Sequence, residues 1–263
     1  MNKTILITGA GSGIGRDAAF ALAARGHHVI ATTFDEAQAE DLRQLAQREK
    51  AALEVFKLDI CSASDRERIA SLKLDVLINN AAVGESGSLA EVDVERIRRA
   101  FEVNVFATLE LTQVALRGMI ERQSGTVLFI SSIAGRLPMP FLMPYSMTKF
   151  ALSAAAAGLR EEMDVLRKNV QIAVIEPGAI HTGFNQAMSE KKYTWMSEGS
   201  YFHSIADKLR ERERRVFKLL EAKSTAPVVN KIVRAAEARR PKLRYVAPWL
   251  QGAGVRLARI LGA

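Results

Sequence analysis

Short apolar runs alternate with segments of helical apolar spacing along almost the whole chain, and that alternation constrains the fold more than any other feature. Thr4–Ile7, His28–Thr33, Leu53–Leu58, Leu74–Ile78, Thr126–Ile130 and Val170–Ile175 read as strands. Residues 14–25, 35–49, 62–72, 93–122 and 145–167 read as the helices between them. A helix over 226–238 then precedes a last short strand near Leu243–Val246. Capping spacings mark two helix starts, Asp35 with Gln38 and Ser62 with Asp65. Strand–helix–strand repeats build a parallel sheet. Near-continuous apolar strands such as Val127–Ile130 suit burial on both faces. Right-handed crossovers wind such a sheet outward from its middle. The expected fold is therefore α/β, a single-domain doubly wound parallel sheet of Rossmann type with helices on both faces. Its ligands belong beyond the C-terminal strand ends, where the strand order reverses.

A chain of 263 residues suits one such domain. We expect it to span 1–263, with a substrate loop at about 179–224 and a basic segment at about 225–263. With 48% hydrophobic and 25% charged residues, disorder and repeat architectures are excluded. The one cysteine, Cys61, forms no internal disulfide and fits a reducing, cytoplasmic compartment. No signal-peptide layout follows Met1, and no apolar run reaches the ~18 residues of a membrane span. The net charge of +8 is unevenly placed: residues 1–200 hold 22 basic and 24 acidic groups, residues 201–263 hold 15 and 5. That basic end raises nucleic-acid binding as a reading. Lys208–Lys218 is interleaved with Glu211 and Glu213, the pattern of a solvated helix face, and no nucleic-acid motif accompanies it. Trp249–Leu261 carries Leu250, Ala253, Leu257 and Leu261 at helical spacing. Such a helix docks on a partner subunit or, as the lesser alternative, on an anionic membrane surface.

The first strand runs into Thr8-Gly-Ala-Gly-Ser-Gly-Ile-Gly15. Glycines let a backbone turn tightly and approach a pyrophosphate, and the next helix offers free N–H groups and the positive end of its dipole. The spacing is T-G-x-x-x-G-x-G rather than G-x-G-x-x-G. Between a strand and a helix it reads as a dinucleotide loop. Tyr145 and Lys149 stand at i and i+4, on one face of a helix. A tyrosine is a poor base near neutrality, and a neighbouring ammonium favours its phenolate.

These residues, with Asn79-Asn80-Ala81-Ala82 after the fourth strand and Pro177-Gly178 through Thr182 after the sixth, make the chain similar to the short-chain dehydrogenase/reductase family over about 3–246. The chain loosely resembles that family's hydroxysteroid and retinol dehydrogenase branch. The resemblance implies an NAD(P)-dependent oxidoreductase that moves hydride between nicotinamide and a carbonyl or secondary alcohol. It implies a catalytic set of Asn104, Ser132, Tyr145 and Lys149: Ser132 orients substrate, Tyr145 moves the proton, Lys149 lowers the Tyr145 pKa and binds ribose, and Asn104 holds a relay water. It implies cofactor contacts from Gly9, Ser12, Gly13, Ile14, Gly15, Thr33, Asp59, Ile60, Asn80, Ala81, Tyr145, Lys149, Pro177, Gly178 and Thr182. Ala82 departs from the family's usual glycine.

By the same likeness, the acidic selector of NAD and the arginine selector of NADP fall on Thr33 and Phe34, so neither is present. Hydrogen bonds from Thr32 and Thr33 would suit a 2′-phosphate, which favours NADP, with NAD as the alternative. The substrate wall falls on Ser132, Met139, Phe141, Tyr145, Phe184 and Met188. Methionine and aromatic side chains suit a bulky or apolar ligand. No second ligand set beside His181 or His203 suggests a metal. The expected partners are a small carbonyl or alcohol and further copies of the chain, as a dimer or tetramer, with no nucleic acid. The alternative is a non-catalytic nucleotide-sensing or membrane-surface protein on the same fold.

Overall fold

The computed structural model describes residues 2–261. One seven-stranded sheet runs through it, all parallel, in the order β3-β2-β1-β4-β5-β6-β7. Its strands are β1 Thr4–Ile7, β2 His28–Thr33, β3 Leu53–Lys57, β4 Val76–Asn79, β5 Gly125–Ile130, β6 Val170–Pro177 and β7 Arg244–Ala247. The order reverses between β1 and β4, so the crevice where ligands bind opens beyond their C-terminal ends.

Alternate residues of each strand feed opposite cores. Ile5 and Ile7 pack with Val29, Val76, Ile78 and Leu128 against α1 (Gly13–Ala23), α2 (Glu36–Arg48) and α9 (Ala226–Glu237). Leu6, Leu77, Val127 and Phe129 face the other way, onto α5 (Thr108–Glu121) and α6 (Met143–Val165). Two-sided burial explains why the central strands carry no polar alternation. Asp35 caps α2 by accepting from the Gln38 N–H at 2.8 Å. Ser62 caps α3 (Ala63–Glu67) in the same way at 3.3 Å.

The helix expected over 93–122 is interrupted. α4 (Val94–Phe101) widens into a π-turn at Glu102–Ala107 before α5 begins. Thr108 Oγ1 donates to the Val103 carbonyl at 3.1 Å, inside that wide turn. Such turns cluster at functional sites, and this one carries Asn104. The 179–224 stretch holds α7 (Phe184–Glu190) and α8 (Ala206–Leu220) joined by short helical turns. The chain closes with α10 (Trp249–Ile260). Among the described residues no helix is long and apolar enough to cross a membrane.

Candidate active site

The glycine loop and the end of β4 clasp each other. Thr8 Oγ1 accepts from the N–H groups of Asn80 and Ala81, both at 3.0 Å. Asn80 Nδ2 donates back to the carbonyls of Thr8 and Gly9, both at 2.9 Å. Gly9 and Gly13 have φ of +64° and +56°, the left-handed region that favours glycine. A Cβ on Gly15 would lie 2.3 Å from Asn80 Nδ2 and 2.6 Å from the Gly9 carbonyl. These residues therefore hold the loop in shape, as well as opening it to a ligand. Ser12 makes no side-chain cap to α1, so the first N–H groups of the helix stay available to an anion. Ala82 borders the cleft and does not take a left-handed backbone, so a glycine is not required there.

Across the crevice, β5 delivers Ser131 and Ser132, and α6 delivers Tyr145 and Lys149 one turn apart. Ser131 is spent on structure: its hydroxyl donates to the Lys149 carbonyl at 3.1 Å and meets Ser153 Oγ at 2.7 Å. Both serines border the larger cleft, but Ser132 alone also borders the smaller cavity beside it. Burial pushes the Tyr145 phenol well above its ordinary pKa, opposed only by the Ser132 hydroxyl beside it. Lys149 is buried, its Nζ 5.5 Å from the Tyr145 ring centre and donating to the Ile130 carbonyl at 2.9 Å. Burial alone lowers its pKa to about 8. The neighbour that opposes the rise of the phenol pKa is Ser132, while Lys149 lies over the ring at 5.5 Å.

Asn104 is held on both sides. Its side chain exchanges hydrogen bonds with the Val83 backbone, at 2.8 and 2.9 Å, and donates to Thr148 Oγ1 at 3.1 Å. It is buried and lines neither cavity described below. With its amide so engaged, the side chain pins the loop after β4 to α6.

Two cavities meet at these groups. The larger, about 550 Å³, runs from Phe34, Gln38 and Asp59 past Gly11–Gly15 to Lys149, Pro177 and Thr182. Ser12, Ile14, Ile60, Asn80, Ala81 and Gly178 border it too, as expected for cofactor contacts. Thr33 does not. It is fully buried and its hydroxyl donates to the Asp35 carbonyl at 2.9 Å, while Thr32 Oγ1 donates to the Ile7 carbonyl at 3.2 Å. The hydroxyls that favoured a 2′-phosphate are thus consumed within the fold. The side chains facing the cleft there are Phe34 and Gln38, neither of them charged. Phe34 stands where the likeness put the arginine selector of NADP, whereas Gln38 was legible only as a capping partner.

The smaller cavity, about 230 Å³, shares Ser132, Tyr145, Gly178 and Asn185 with the larger and is walled by Met139, Leu142 and Met188. Phe184 borders the larger cleft, with its ring 5.8 Å from that of Tyr145. Phe141 was expected on the substrate wall but lines neither cavity. Its backbone is left-handed (φ 61°) and its ring meets Phe202 edge-on at 5.1 Å. The site-facing residues that sequence reasoning missed are Asn185, Lys192 and Glu213. Lys192 gave no signal, since the pair Lys191-Lys192 reads as ordinary surface charge.

The short chain dehydrogenase family model matches residues 3–193. Mouse dehydrogenase/reductase SDR family member 7B is 32% identical over 194 residues, covering 70% of this chain and 59% of the mouse protein. The chain thus spans less than two thirds of that relative. Human retinol dehydrogenase 8 is 30% identical over 252 residues, 92% of this chain and 80% of its own. A solved short-chain dehydrogenase from Streptomyces avermitilis superimposes with a TM-score of 0.79 at 27% identity, over 99% of this chain and 93% of that one. The clasped glycine loop, the reversal between β1 and β4 and these similarities have one explanation: the chain belongs to the short chain dehydrogenase family, as an oxidoreductase acting between alcohol and carbonyl groups.

Proposed function

We propose that the protein transfers hydride between NAD(P) and a bulky, mainly apolar ketone or secondary alcohol, with Tyr145 moving the proton. The observation that carries this reading is the position of Ser132 and Tyr145, which border both the nucleotide-sized cleft and the smaller apolar cavity. A group held in the first and one held in the second meet at their two hydroxyls. Bound nicotinamide supplies or accepts the hydride. The protein's own share is proton transfer and orientation. Ser132 Oγ hydrogen-bonds the reacting oxygen, and Tyr145 Oη, kept protonated by its burial, donates to that oxygen in reduction. Reduction leaves Tyr145 as the phenolate, and the oxidation of an alcohol starts from that phenolate and returns the proton to it. Lys149 approaches the ribose side of the cleft, and Asn104 acts only by positioning.

The glycine cradle and the uncapped N-terminus of α1 support pyrophosphate binding. Phe34 and Gln38 offer no charge that separates NADP from NAD, so we expect a preference of less than about ten-fold between the two. Ser132, Tyr145 and Lys149 gathered along the cleft speak against a non-catalytic sensor. Phe106 and Phe150 are exposed, and Ala154, Ala157 and Gly158 leave α6 flat beside them. That surface supports pairing with further copies as a dimer or tetramer. The exposed, unpaired Cys61 supports a cytoplasmic setting. The test is a cofactor-consumption screen with NADPH and NADH over apolar ketones and polyols. Turnover of the ketones is expected, and activity confined to polyols overturns the reading.

A further inference from the structure

The smaller cavity has a charged pair in its otherwise mainly apolar wall. Lys192 and Glu213 border it, and neither borders the larger cleft, whereas Ser132, Tyr145, Gly178 and Asn185 border both. Ser132 and Tyr145 thus stand where the two cavities meet, and Met139, Met188, Lys192 and Glu213 line the smaller one alone. The lysine side chain is only 3% exposed. Its Nζ lies 2.7 Å from Glu213 Oε1 and 3.1 Å from Ser189 Oγ. Glu213 Oε2 accepts from the hydroxyls of Ser189 and Tyr193, both at 2.7 Å. The carboxylate is thus almost saturated. A lysine ammonium has three donors, and among the described residues two of them have partners here.

A buried ion pair is a poor stabiliser, because desolving both charges offsets their attraction. Burial also lowers the Lys192 pKa, opposed by Glu213 and Glu190. Placed on a cavity wall, the pair instead presents one spare N–H donor in a neutral setting. A ligand carboxylate would bring an uncompensated negative charge beside Glu213, whereas a neutral acceptor oxygen would not. We infer that Lys192 binds a second oxygen of the substrate, hydroxyl or keto, at the end of an apolar skeleton whose other oxygen sits at Ser132 and Tyr145. This deepens the proposed function and rests on it for the placement of the reacting oxygen. Glu213, Ser189 and Tyr193 are positioning residues that aim the lysine.

The experiment uses aliphatic methyl ketones of graded length, each with and without a terminal hydroxyl. Turnover and direct binding by calorimetry are measured on the full chain with NADPH. At one chain length the hydroxylated ketone should be favoured about ten- to a hundred-fold in kcat/KM, the range of a hydrogen bond to a charged group. Lys192→Met paired with Glu213→Gln, which leaves no orphan charge, should lower kcat/KM for the hydroxylated ketone by that factor more than for the plain one. Lys192→Arg should keep part of the preference. Equal treatment of the two ketones at every length overturns the subsite, as does a preference that survives the double substitution. Preferential binding without turnover supports the subsite and overturns the oxidoreductase assignment of these ligands, so the two failures are distinguishable.

Discussion

The nucleotide side and the substrate side of this molecule are built from different materials. On the nucleotide side, the glycine loop and the end of β4 are tied by backbone groups and two short polar side chains, Thr8 and Asn80, at 2.9–3.0 Å. On the substrate side, α7 and the turn after it are tied to α8 by long charged side chains, with Lys192 on Glu213 and Arg210 on Glu190. α8 has no fully buried residue. Backbone cannot be replaced by mutation, whereas side chains can. The first region is suited to a ligand that never varies, and the second to one that selection can change.

Substitution can break this comparison in four places. The largest effect belongs to the junction of the two regions. Tyr145→Phe should lower kcat about 10²- to 10⁴-fold, the range of a lost general acid, with nucleotide affinity by calorimetry unchanged. Retained turnover would remove Tyr145 from its role.

Next comes Lys149, read through pH. Its folded pKa of about 8 lies below the ordinary 10.5. The unfolded chain therefore binds more protons across that window, and stability rises as pH climbs from about 8 to 10.5. Lys149 should contribute about 3 kcal/mol to that rise in the nucleotide-free protein, and Lys149→Met should lose this share. Denaturant midpoints of both proteins at several pH values check it; parallel curves would contradict it.

Gly15→Ala tests the clasp itself. Its Cβ would press on Asn80 and the Gly9 carbonyl, and fixed backbone gives way poorly. We expect a cost of about 1–3 kcal/mol together with weakened nucleotide binding. Gly199→Ala, on the substrate side, is the counterpart and the smallest effect. Its Cβ meets open space, so the change should stay within about 0.5 kcal/mol in a thermal melt.

Much of this was legible in the residues. The strand and helix order follows from short continuous apolar runs alternating with segments of period 3.6, and both are set by neighbours in sequence. The caps at Asp35 and Ser62 are equally local, since a side chain there reaches an N–H three residues on. The pairing of Tyr145 with Lys149 needed only one helical turn. Other features were not legible for a physical reason. Thr33 carries the same hydroxyl whether it faces a phosphate or its own chain. Phe141 is as apolar against Phe202 as it would be against a substrate. Asn104 is a plain helical asparagine until the π-turn aims it at Val83.

By itself, then, the sequence determined the parallel α/β sheet, the glycine loop after β1 and the tyrosine–lysine pair, because each depends on spacing within a few residues. Tertiary structure alone decided which serine borders both cavities, where the threonine hydroxyls are spent, and that Lys192 lies buried in the wall of the smaller cavity. Those outcomes depend on which segments meet across the fold. Desolvation and hydrogen-bond partners are properties of that meeting, and no single stretch of chain carries them.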